Sequence, residues 1–195
     1  TQGFQASFPP ASWSVADPAG LYRLNSTTGG FGLSTVSLQA NCFDIPAGSA
    51  RLASPVLDFT WSLSPVTLRF DIAYAPYSAA YHDSLVIEVS TDCGLTFTRL
   101  YAQGDDSLAT VPAVTARFVP QAGDWATRTI DLSAFAGQHS VILQFNVLSG
   151  YGNDIFLDNI SVSQIHGPVK FFENVEGVHE TNIRIGEAGR SKDNL

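Results

Sequence analysis

Between Asp83 and Arg99 the chain reads DSLVIEVSTDCGLTFTR, and this stretch limits the choice of fold more than any other. Leu85, Ile87 and Val89 recur every second residue, with Glu88 and Ser90 between them, so one face of an extended segment is apolar and the other polar. Thr91, Asp92 and Gly94 supply turn chemistry, because Asp tolerates left-handed backbone angles and Gly has no Cβ to clash. The pattern predicts two strands, LVIEVS and LTFTR, joined as a hairpin with one buried face.

The same period recurs along the chain. Val66, Leu68, Phe70, Ile72 and Tyr74 share a face opposite Thr67, Arg69 and Asp71, and Pro76 ends that strand. Val141, Leu143, Phe145 and Val147 form another apolar face, and IFLDNISVSQI a closing strand after the Gly150–Gly152 turn. Residues 17–35 and 102–124 lack the period and read as long surface connections. No segment sustains a helical period, so the expected fold is all-β: a two-sheet sandwich or barrel.

Charge draws the one clear boundary. Residues 1–165 hold six arginines, no lysine and thirteen acids, whereas the last thirty hold four basic residues and five acids. The break falls at Gly167-Pro168, which predicts a β-domain over 1–165 and a charged linker or docking segment over 166–195. With 45% hydrophobic and 14% charged residues the chain can bury a real core. Its net charge of −8 excludes nucleic acid, which needs a basic surface to displace counterions. No apolar run approaches the ~20 residues that span a bilayer, so membrane insertion is not expected. With no leader and no methionine, the chain reads as a processed or excised piece of a longer protein. Cys42 and Cys93 are too few for a zinc site; they are either one bridge in an extracellular protein or two small buried thiols.

In order along the chain stand FPPASWSV, LASPVLDF, VTLRFDIAY, DSLVIEVSTDCGLTFTRLY, WATRTIDLSAFAGQHSVILQF and GNDIFLDNISV. This set resembles the cleaved-adhesin or choice-of-anchor J modules of secreted Bacteroidetes proteins, similar in fold to animal MAM domains. The resemblance covers about residues 3–163 and implies a two-sheet antiparallel jelly roll. It also implies one module of a secreted or cell-surface protein, commonly exported by the type IX route, with binding or adhesion rather than catalysis as its role.

Alternation places Asp158 on one face with Phe156, Ile160 and Val162. A carboxylate on an apolar face needs a cation, an arginine or several backbone donors, or else a place at the sheet rim. The resemblance implies a structural calcium ion there, shared with the residue after an N-terminal Phe. That residue is Gln5, an uncharged oxygen ligand where the family has Glu, and Asn153, Asp154 and Asp17 are further candidate oxygens. Tyr77, Tyr81 and His82, joined by Tyr101 or Tyr151, suggest a platform for a sugar ring; core packing is the competing account of these aromatics.

Catalysis has little support. There is no H-E-x-x-H, G-x-S-x-G or C-x-x-C, and Asp105-Asp106 is a carboxylate pair on a polar loop. The expectation is a non-enzymatic module binding a glycan or protein ligand. Two alternatives are an assembly subunit docking on neighbouring modules through 166–195, and an accessory domain of a secreted peptidase or glycosidase.

Overall fold

Among the described residues the apolar alternation becomes ten strands in two packed sheets. The computed structural model describes residues 2–5 and 8–166, so the predicted segment 166–195 lies outside the described residues from 167 onward. The strands are β1 (Ser14–Ala16), β2 (Tyr22–Asn25), β3 (Ser37–Ala40), β4 (Gly48–Ala53), β5 (Ser62–Tyr74), β6 (Ser84–Ser90), β7 (Thr98–Gly104), β8 (Ala126–Asp131), β9 (Ile142–Ser149) and β10 (Ile155–His166). One antiparallel sheet has the order β1-β4-β9-β6-β7 and the other β2-β3-β10-β5-β8. Neighbours in each sheet are mostly distant in sequence, as in a jelly roll.

The core lies between the sheets. Leu85, Ile87 and Val89 of β6 and Leu143, Phe145 and Val147 of β9 face Val66, Leu68, Phe70 and Ile72 of β5, with Ile155, Leu157 and Ile160 of β10. Each such side chain contributes about 1.5–3 kcal/mol when fully buried. Phe70 and Phe145 meet edge to face across the sheets, with centroids 5.9 Å apart.

Where local patterning was weak, tertiary contacts changed the outcome. The connection 17–35 contains β2, whose Tyr22 is buried against the core. The excursion after β7 opens with a short helix, α1 (Asp105–Leu108), and then folds back over the outer face of the second sheet. There Phe118 and Trp125 pack with Ala73, Ala75 and Phe156 in a second, smaller apolar cluster. In the opening hairpin, Leu95–Phe97 belongs to the turn and β7 starts only at Thr98. Asp92 accounts for this: its carboxylate accepts the N–H (2.9 Å) and hydroxyl (2.5 Å) of Thr96 and the Ser90 hydroxyl (2.7 Å). Those bonds hold the Asp92 carboxyl low, at about 2.

The cysteines are free, which corrects the bridged reading. Cys42 is buried in the loop after β3, while Cys93 is exposed in the turn after β6, 3.4 Å from the Ser140 hydroxyl. Cys42 neighbours Asp83 and Ser149, at the end of the sandwich where β6 begins. The seven residues of β6 separate the two thiols by about 20 Å of strand, and a disulfide needs Cα atoms within about 7 Å.

A bulge resets the face of β10. Its register against β5 shifts between Asp158 and Ser161, and Asn159 takes a left-handed φ of 50°. Ile160 and Val162 therefore point into the core, while Asp158 stays with Phe156 on the outer face. The strict alternation that grouped Asp158 with Ile160 and Val162 is broken at that residue.

Gly152 shows how tightly the turn between β9 and β10 is built, since a Cβ there would overlap the carboxylate of Asp83. Gly152→Ala is expected to cost about 3 kcal/mol, in the range of strained buried substitutions. Urea denaturation measures it, with Gly123→Ala, where a Cβ meets open space, as the control.

Candidate functional site

Four connections gather at the end of the sandwich where β6 begins: β3–β4, β5–β6, the excursion after β7, and β9–β10. The Asp105 N–H reaches Asp83 O at 3.3 Å, the Thr110 N–H reaches Tyr74 O at 2.9 Å, and the Val114 N–H reaches Pro76 O at 2.9 Å.

Asp83 organises this end. It is fully buried, and its carboxylate accepts the N–H groups of Gly150 (2.9 Å), Gly152 (3.1 Å) and Asn153 (2.6 Å) together with the Tyr74 hydroxyl (3.2 Å). Burial, and then this carboxylate, push the Tyr74 phenol well above its usual range, so it remains a donor. Four donors on one carboxylate make the turn at 150–153 rigid, and the turn carries Tyr151 at a left-handed φ of 66°. An aromatic residue with that backbone angle is strained and persists only where its surroundings dictate it.

The next two residues lock the neighbouring loops. Asn153 accepts the Phe118 N–H (2.8 Å) and donates to the carbonyls of Val114 (3.2 Å) and Ala116 (3.0 Å). Buried Asp154 accepts from Gln39 (2.5 Å), the Phe43 N–H (3.0 Å) and Arg117 (2.7 Å). Burial raises the Asp154 carboxyl above the usual carboxylate range, and the Phe43 N–H and Arg117 oppose that rise. Arg117 also pairs with Asp44 and lies 4.6 Å over the Phe43 ring.

These restraints assemble an aromatic chain. Phe43 and Tyr77 meet edge to face at 6.1 Å, Tyr77 and Tyr81 at 5.3 Å, and Tyr81 and Tyr151 at 5.9 Å. With Gly152 they line a cavity of about 200 Å³. Tyr77 and Tyr81 are half-buried and Tyr151 is 47% exposed. Among the described residues, none bonds the hydroxyls of these three tyrosines. The cavity therefore offers ring faces and free phenols together, suited to a small ligand with one apolar face and a polar rim.

Of the predicted ligand-binding residues, Tyr77 and Tyr81 come together and His82 does not. The His82 ring is turned to Asp105, with Nδ1 2.8 Å from its carboxylate. Tyr151 joins the cavity, whereas Tyr101 packs edge-on against Phe70. Phe43, Asp83 and Arg117 were not foreseen. The one available signal was G-Y-G-N-D at 150–154, where two glycines around an aromatic mark a forced turn.

Asp158 lies away from this end, with Phe156 on the outer face of the second sheet. Its Oδ2 accepts the Gly30 N–H at 2.8 Å and lies 2.5 Å from the Ser34 hydroxyl, and its Oδ1 accepts the Asn159 N–H at 2.8 Å. Ser34 Oγ is also 3.1 Å from Val36 O and 2.6 Å from the Gln5 amide. The hydroxyl has one proton to share between Asp158 and Val36 O, so the cluster is rich in acceptors. Asp158, Ser34, Val36 O and, with its amide rotated, Gln5 form an oxygen set that fits a hard cation with one full negative charge. The other candidate oxygens lie elsewhere: Asn153 and Asp154 serve the tyrosine end, and Asp17 accepts the N–H groups of Leu21 (2.8 Å) and Tyr22 (2.7 Å). Among the described residues, no three His, Cys, Asp or Glu side chains cluster as metal ligands.

No protein-family model matches the chain, and no curated protein matches it. Solved structures do. The K1 cleaved adhesin domain of Lys-gingipain from Porphyromonas gingivalis W83 superposes with a TM-score of 0.57 at 19% identity, over 83% of this chain and 95% of that one. The K2 cleaved adhesin domain of Lys-gingipain gives 0.57 and 19%, over 84% and 96%. TmCBM61 in complex with β-1,4-galactotriose gives 0.55 at 11% identity, over 84% and 94%. At these identities the likeness is one of fold, the β-sandwich of adhesin and carbohydrate-binding domains.

The Asp154–Arg117 pair should behave as a buried ion pair that braces the cavity. Arg117→Ala is expected to destabilise the fold by about 2–3 kcal/mol, largely by leaving Asp154 buried and unpaired. Adding Asp154→Asn should recover part of that loss in chemical denaturation.

Proposed function

We propose that the chain is a non-catalytic binding module of a secreted or cell-surface bacterial protein, with the tyrosine cavity as its ligand site and a carbohydrate as its ligand. The observation that carries this reading is the Phe43–Tyr77–Tyr81–Tyr151 chain around a cavity of about 200 Å³. Its Tyr151 is held in a strained conformation by the buried carboxylate of Asp83. A pyranose presents an apolar C–H face and equatorial hydroxyls, which suit a tyrosine face and a free phenol. The fold shared with TmCBM61, which was solved with galactotriose, and with cleaved adhesin domains supports the same class of role. The cavity lining of Phe43, Tyr77, Tyr81, Tyr151 and Gly152 supports a role in retaining a ligand.

A glycan array followed by calorimetry tests this. Binding of at least one neutral oligosaccharide is expected, weakened tenfold or more by Tyr81→Ala and by Tyr151→Ala at unchanged melting temperature. No binding across the array, or binding indifferent to both substitutions, refutes it.

The proposal extends to calcium as a structural ion. Asp158, Gln5, Ser34 and the Val36 carbonyl would hold it, and it would supply the positive charge this acceptor cluster lacks, tying residues 30–36 to β10. Calcium at a hundredfold excess over its dissociation constant stabilises by about 2.7 kcal/mol. Thermal melts should therefore fall with chelator, and Asp158→Ala should abolish the difference. Identical melts with and without chelator count against the ion.

A further inference from the structure

Past Ile160 the closing strand runs on with one edge that no described strand covers. β10 pairs with β5 as far as His166 opposite Ser62. On its other side β3 covers only Ile155–Leu157, and Gln2 meets Ile160 in a single bridge. The Ile160 N–H donates to Gln2 O at 2.9 Å, and its carbonyl accepts the Gln2 N–H at 2.5 Å. Both groups of Ile160 therefore face the uncovered side. By strand alternation those of Val162 face it too, and no described residue bonds them there. An unpaired strand edge is a template for another strand.

Both faces beside this edge are apolar. Toward the interior is a cleft of about 290 Å³ whose lining includes Trp13, Pro55, Leu57 and Val162. Farther along, Leu63 and Ile165 stand directly opposite each other on β5 and β10, at 50% and 55% exposure, and Trp61, just before β5, is 74% exposed. Single exposed apolar residues are ordinary. A cross-strand pair and a tryptophan beside an open edge form a docking surface.

We propose that the chain's own segment 167–195 docks here, adding a strand antiparallel to residues 161–166 of β10. The segment begins at the residue after β10 ends and has 29 residues in which to turn back. Val169, Phe171, Phe172 and Val175 come within its first nine residues, the densest apolar group in the segment. Phe171 is five residues beyond His166, within about 18 Å of extended chain, so it can reach Ile165 and Leu63. Covalent attachment supplies an effective concentration on the order of millimolar, so a strand addition too weak to form between separate molecules closes within one. The surface is at the opposite end of β10 from the tyrosine cavity and stands independently of it.

The test uses the whole chain. NMR-detected hydrogen exchange should show the Val162 amide slowed at least a hundredfold relative to an unstructured peptide. The double variant Phe171→Asp/Phe172→Asp should speed it tenfold or more while the amides of Ile142–Ser149 in β9 stay unchanged. A Val162 amide that exchanges like free peptide in the unaltered chain overturns the proposal, as does protection that survives the double variant. Protection that grows with protein concentration also overturns it, because the occupant is then a second copy.

Discussion

One buried carboxylate sets the arrangement of the functional end. Asp83 is the last residue before β6, yet its four donors come from β5 and from the turn between β9 and β10. A carboxylate removed from water is costly unless its lone pairs are filled, so its stability depends on those two chain segments keeping their places. The dependence is mutual: Gly150 and Gly152 must lack side chains to approach the His82 backbone and the Asp83 carboxylate. Tyr151, caught between them, is displayed at the cavity rim because the turn has no other way to close.

The same logic continues outward in layers. Asn153 fastens the excursion after β7, and Asp154 with Arg117 fastens the loop that bears Phe43. Two successive polar residues after the glycine turn thus fix two different connections, which ties the loop-borne aromatics to the end of the sandwich. On the outer face of the second sheet, Asp158 and its cross-strand partner Asp71 play a similar part for residues 30–34. Gly30 donates its N–H to Asp158 and Phe31 to Asp71, at 2.8 and 3.0 Å.

Much of the scaffold was legible. Leu85, Ile87 and Val89, Val66 to Tyr74, and Leu143 to Val147 repeat with period two and are buried as their period requires. The parts that misled did so where a side-chain contact or a bulge overrode the two-residue period. Asp92 draws Thr96 into the turn and delays β7, and the bulge at Asn159 turns Ile160 into the core and leaves Asp158 outside. Cys42 and Cys93 both sit near strand ends, but which ends lie together is a property of the topology. Half of the cavity was visible as the tyrosines of residues 77–81. Phe43 and Tyr151 reach it from loops about 30 and 70 residues away, distances at which no local period operates.

The sequence by itself therefore determined that the chain is all-β, built of strands with one apolar face, because side-chain alternation is a local property written into each strand; the two-sheet antiparallel form was what the resemblance implied. Tertiary structure alone decided which loops share an end, and with it the tyrosine cavity, the free thiols and the edge of β10 that no described strand covers. Those features arise from strand order and from buried polar groups that must find partners across the fold.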